Sequence, residues 1–111
     1  MLKIDYEYRK GILFVRLIGS LNKSTIKNME LLDNIIVKVG IKYLLINLEK
    51  GIIIDDSEIN NLIKRYKKLI GDDGKLVICG YQKNKENLKI KNDDKVYLSF
   101  KEISAFNIIN V

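Results

Sequence analysis

Residues 55–58, Asp55-Asp56-Ser57-Glu58, place three carboxylates and a hydroxyl in four consecutive positions, directly after the apolar run Ile52-Ile53-Ile54. An amphipathic stretch follows at once. Three kinds of chemistry fit such a cluster at the mouth of a helix. Carboxylates there cap the first turn and suit the positive end of the helix dipole, at about 0.3–1 kcal/mol each, and Asp55-x-x-Glu58 has the spacing of a capping box. Paired aspartates also hold magnesium in phosphoryl-transfer sites. A charged strand-to-helix junction is, third, a place for a partner to dock.

The wider sequence bears on each of these. Magnesium sites of this kind gather carboxylates from several strand ends. The ends of the first two expected strands offer only Tyr8, Arg9, Ile18, Gly19 and Ser20, so no metal is expected. Histidine is absent, which excludes Ser-His-Asp and Cys-His constellations and imidazole metal sites. The single cysteine, Cys79, ends the apolar run Leu76-Val77-Ile78 and reads as a buried core thiol, since nothing near it in sequence would lower its pKa. Gly71 and Gly74 flank Asp72-Asp73 as ordinary turn chemistry and match no phosphate-binding loop. Neither an enzyme nor a bound cofactor is expected.

The elements that must position the cluster follow from periodicity. Leu2, Ile4, Tyr6 and Tyr8 alternate with Lys3, Asp5, Glu7 and Arg9, the pattern of a half-buried strand. Lys10-Gly11 turns the chain into a second strand, Ile12 to Ile18, giving a hairpin. Gly19 to Ser24 reads as a loop. Ser24 or Thr25 caps a helix to about Val39, with Ile26, Met29, Leu32, Ile36 and Val39 on one face and Gly40 as its stop. Lys42 to Leu48 is a strand buried on both faces. In the helix after the acidic cluster, Ile59, Leu62, Ile63, Tyr66, Leu69 and Ile70 share one side, and Lys64, Arg65, Lys67 and Lys68 the other. Lys75 to Cys79 and Lys95 to Leu98 are further strands. Ser99-x-x-Glu102 is a capping box for a last helix, and the pattern between Gly80 and Asp94 is weak.

This order describes one α/β domain over residues 1–111, a mixed β-sheet with a parallel centre, an N-terminal antiparallel strand pair and helices packed on it. In such sheets, sites form beyond the carboxyl ends of the strands. The N-terminus has no apolar signal segment, no run is long enough to cross a membrane, and one unpaired cysteine suits a reducing compartment, so a cytoplasmic location is expected. The net charge of +6 raises a rival reading, a small nucleic-acid-binding domain. The lysines are nonetheless scattered and mixed with acids, in an Ile-, Lys- and Asn-rich composition that a biased genome would produce by itself.

Several stretches together resemble a known family. Gly19-Ser20-Leu21-Asn22 with Thr25, Leu45-Ile46-Asn47-Leu48, Asp55-Asp56-Ser57-Glu58, Arg65-Tyr66-Lys67 and Val77-Ile78-Cys79-Gly80 match, in order and spacing, the STAS domain of the bacterial anti-sigma factor antagonist type. The likeness covers residues 3 to 81 and thins beyond. It implies a non-catalytic protein that docks on an anti-sigma factor serine kinase, or a related regulatory protein, and frees a sigma factor. In that family the kinase phosphorylates the first serine of Asp-Ser-Ser-Gly. The added charge, about −1.5 to −2, ends the complex.

Aligned without gaps, Asp55 falls on the family's aspartate, Asp56 on the phosphoacceptor, Ser57 on the second serine and Glu58 on the glycine. A one-residue slip would make Ser57 the acceptor but would put the helix's apolar face out of step. The resemblance therefore implies partner-binding residues Asp55, Asp56, Ser57 and Glu58, with Asn22 and Thr25 as lesser candidates, and a switch whose acceptor is replaced. Glu58 is expected to obstruct close approach. Whether Asp56 mimics the phosphorylated state or the switch is lost stays open at this level.

Overall fold

The computed structural model describes residues 2–22, 24–53, 56–80 and 96–99, with the backbone alone for residues 52, 53, 56 and 96–99. Strand β1 (Leu2–Arg9) pairs antiparallel with β2 (Ile12–Leu21). Lys10 and Gly11 connect them, both with positive φ, 54° and 79°. Two left-handed residues match the right-handed twist of a tight hairpin, which is why a glycine sits in this turn.

A 3-10 turn (Ile26–Met29) leads into α1 (Glu30–Val39), followed by β3 (Tyr43–Asn47), β4 (Gly51–Ile53), α2 (Asp56–Ile70), β5 (Lys75–Cys79) and β6 (Val96–Ser99). The described strands form one sheet in the order β1-β2-β3-β5-β6, with β4 paired to β2. All pairings beyond the hairpin are parallel. The expected mixed sheet is thus present, with its antiparallel pair at one edge.

Alternation along the central strands divides the interior in two. Leu13, Val15, Leu17, Leu44, Ile46, Leu76 and Ile78 share a core with Met29, Leu32 and Ile36 and with Ile59, Leu62, Tyr66 and Ile70. Ile12, Phe14, Leu45, Val77 and Cys79 form a second buried cluster on the opposite face. Burial on both faces explains why β3 and β5 read as near-continuous apolar runs. Each such aliphatic side chain contributes about 1.5–3 kcal/mol to folding. The Cys79 thiol is buried, as its apolar context predicts.

Three local expectations need correction. The region from Gly19 to Ser24 is a loop only after Leu21, because β2 continues through Gly19 (φ 103°) to pair with β4, a strand too short to show a period. Neither Ser24 nor Thr25 caps the first helix; Thr25 makes no side-chain cap bond, and the first helical residues form a separate 3-10 turn. Val39 does not join the buried face but is 57% exposed, being the last helical residue before the left-handed Gly40, whose N–H bonds Ile36 O. Ser99 ends β6 opposite Cys79; the helix expected after it, with its Ser99-x-x-Glu102 capping box, lies outside the described residues.

Candidate functional site

The site is built where β2 and β4 end. Gly19, Ser20 and Leu21 pair with Gly51, Ile52 and Ile53. Because the pairing is parallel, the chain leaves both strands at the same sheet edge. After Leu21 it enters the turn holding Asn22 and Thr25, and after Ile53 it leads to α2, whose first residue is Asp56. The register thereby brings the two sequence-predicted groups, thirty-odd residues apart, to one edge.

The Asn22 turn is held by its own side chains. Asn22 Oδ1 accepts from the backbone N–H of Ser24 at 2.9 Å and of Thr25 at 3.1 Å, and from the Ser24 hydroxyl at 2.6 Å. The Thr25 hydroxyl accepts from Asn22 N–H at 2.9 Å and donates to Ser20 O at 2.8 Å, tying the turn back to β2. Asn22 and Thr25 are half-buried, so their placement here is a scaffold for the edge.

Across from it, Ser57 is exposed in the first turn of α2. Glu58 is not. It is 5% exposed, turned in from the surface where the sequence had placed an obstruction, and it offers a partner almost nothing to meet. Asp55, expected to cap this helix, lies outside the described residues. The strand ends beneath are fastened tightly. Leu48 N–H donates to Cys79 O at 2.8 Å, and the buried Asn47 side chain accepts from Glu49 N–H at 2.8 Å. Gly80, at φ 83°, lies so close to Glu49 that a Cβ would sit 2.5 Å from Glu49 N.

Further along α2 the structure shows a pair the sequence did not signal. Arg65 Nε donates to Asp33 Oδ2 of α1 at 2.8 Å, and Arg65 Nη2 bonds the same oxygen. That hydrogen bond, above all, raises the Arg65 pKa. Asp33 Oδ1 and the Tyr66 hydroxyl are both buried without a well-formed hydrogen bond. Burial, and then the neighbouring Asp33 carboxylate, pushes the Tyr66 phenol well above its ordinary value. Lys64 and Lys68 remain solvent-facing, as the helical period implies.

Comparison with known proteins fits this arrangement. The family model described as the STAS domain matches residues 3–98. This chain belongs to the STAS domain family. The fold of this STAS domain is shared with three solved structures of low sequence identity. The anti-sigma factor antagonist SpoIIAA in its unphosphorylated form is 14% identical, with TM-score 0.68 over 99% of this chain and 98% of that one. An anti-sigma factor antagonist from Mycobacterium paratuberculosis is 13% identical, with TM-score 0.75 over 100% and 96%. The Bacillus cell fate determinant SpoIIAA in the phosphorylated form is 13% identical, with TM-score 0.67 over 96% and 97%. No helix among the described residues of this STAS domain is long and apolar enough to cross a membrane.

Proposed function

We propose that this STAS domain is a non-catalytic cytoplasmic regulator that acts by docking on another protein, an anti-sigma factor serine kinase or a close relative of one, and so takes part in partner-switching control of transcription. The docking edge is the one formed by the Asn22–Thr25 turn and the first turn of α2, and Asp55, Asp56 and Ser57 are the residues proposed to meet the partner. The observation that supports this most is the parallel pairing of Leu21 with Ile53, which gives those two segments one edge. Asp56 stands where the family carries its phosphoacceptor, so the docking surface holds a permanent negative charge smaller than a phosphate's.

The test compares wild type with Asp56→Ser as bait in lysate of the source organism, with captured proteins identified by mass spectrometry. If Asp56→Ser gains an ATP-binding serine kinase that wild type lacks, the docking surface survives and Asp56 holds it in the released state. Phosphorylation of Ser57 by the captured kinase would instead show a working acceptor one position along. Capture of no regulatory protein by either form would overturn the reading.

A further inference from the structure

We propose that the groove between the 3-10 turn and α2 receives an acidic segment of a protein partner, through Lys64, Arg65 and Lys68. Ile26, Asn61, Lys64, Arg65 and Lys68 line it. On α2 these positions are spaced i, i+3, i+4 and i+7 and therefore form one stripe. Two of the three cations are solvent-facing lysines, but Arg65 is held in place. Asp33 binds it through Nε and Nη2, leaving the other N–H donors of a guanidinium already held in one orientation. Asn61 adds an amide that both donates and accepts, and Ile26 supplies an apolar wall. A carboxylate flanked by an aliphatic side chain fits this combination.

Charge complementarity selects a protein segment over a nucleic acid. The stripe holds three cations within two helical turns, and Asp33 offsets part of the charge on one. A phosphate backbone binds through a longer row of positive contacts. The negative charge of Asp56, at the start of the same helix, would oppose it. A protein partner has no such difficulty, because its charges can change sign along the contact. The groove also begins at Ile26, the residue after Thr25, so it continues directly from the proposed docking edge. Lys64 lies about 12 Å, and Lys68 about 18 Å, along the axis from Asp56. A partner spanning both would carry its acidic group that far from the point that meets Asp56.

The inference rests on the reading of this domain as a docking protein, but its test is separate. The isotopically labelled full chain is titrated with a short glutamate-rich peptide, and in parallel with single-stranded DNA, while backbone amide signals are followed. The peptide should move the signals of Ile26 and of residues 61–68 and bind more weakly as salt rises. The double variant Lys64→Glu/Lys68→Glu should keep the native spectrum and weaken peptide binding by roughly tenfold or more, the loss of two ion pairs. Shifts spread over lysines elsewhere, binding that survives charge reversal, or DNA occupying the stripe more tightly than the peptide would each overturn it. None of these results touches the Asp56→Ser comparison, which judges the docking reading by itself.

Discussion

Asp33 of α1 holds Arg65 of α2, with Arg65 Nε 2.8 Å from Asp33 Oδ2. It is a direct polar tie between the two helices that cover one face of the sheet. The other carboxylate oxygen is buried beside the Tyr66 hydroxyl, and neither atom is well bonded. Asp33→Ala removes both bonds to Arg65 and should cost about 1–3 kcal/mol. Tyr66→Phe removes only a hydroxyl that gains little from its surroundings and should change stability by less than about 1 kcal/mol in either direction. Urea unfolding of the two variants checks the order; a larger loss for Tyr66→Phe would show that the hydroxyl is bonded after all.

The same phenol predicts an alkaline limit. Its pKa in the folded chain is raised above the ordinary value of 10.0, first by burial and then by Asp33. Above pH 10 the unfolded chain therefore releases a proton that the folded chain retains. Stability contributed by neutral Tyr66 is complete below that pH and falls as pH rises past it, by up to about 1.4 kcal/mol per pH unit. The other tyrosines and the lysines titrate in the same range, so the measurement is the difference between wild type and Tyr66→Phe. The two stability curves should run parallel below pH 10, and above it wild type should lose stability relative to Tyr66→Phe.

Gly80 and Gly11 separate two reasons for glycine. Both have positive φ, 83° and 79°. A Cβ on Gly11 meets nothing within 4 Å, whereas one on Gly80 would sit 2.5 Å from Glu49 N. Gly11→Ala should cost about 1 kcal/mol from backbone strain alone. Gly80→Ala bears that strain and also pushes β5 from the end of β3, so it should cost at least about 1 kcal/mol more. Thermal unfolding of the pair gives the comparison, and equal losses would mean that the β3–β5 junction yields easily.

Among the described residues, the Asn22 side chain is used through its acceptor oxygen, by two backbone N–H groups, the Ser24 hydroxyl and, at 3.4 Å, the Thr25 hydroxyl. Asn22→Asp keeps that oxygen and should leave stability within about 0.5 kcal/mol. Asn22→Ala should cost about 1–2 kcal/mol, as the loss of an N-terminal cap does. Chemical denaturation distinguishes them. If Asn22→Asp is as damaging as Asn22→Ala, the amide nitrogen has a part that its hydrogen bonds do not reveal.

Much of this architecture was legible in the sequence because it rests on repeated side-chain patterns. Ile59, Leu62, Ile63, Tyr66 and Ile70 mark a helix face and are all buried. Leu44-Leu45-Ile46 and Leu76-Val77-Ile78 mark strands covered on both sides. The start of α2 at the acidic cluster was equally plain. What escaped was set by partners distant in the chain. Gly51–Ile53 is too short to show a period, and it becomes a strand only through its pairing with Gly19–Leu21. Arg65 read as one more solvated cation because its partner is 32 positions away, on another helix. Glu58 looked like a surface residue because carboxylates are rarely buried; at 5% exposed, it departs from that rule.

One spacing in the sheet has a mechanical meaning for α2. Asn47 stands opposite Arg16 and Gly51 opposite Gly19, so the chain takes four steps from β3 to β4 while β2 takes three. The surplus residue lies in the Leu48–Lys50 segment, fastened by Leu48 N–H to Cys79 O and Gly19 N–H to Lys50 O. It works as a phase setting. Each residue added or removed there must either slip β4 against β2 or be taken up at the start of α2, where one step turns the helix by about 100°. The direction in which the Lys64–Lys68 stripe points is therefore written partly in the length of a connection containing neither residue. Substitutions of the exposed Glu49 and Lys50 would be quiet, whereas a single deletion would shift β4 or re-aim the helix.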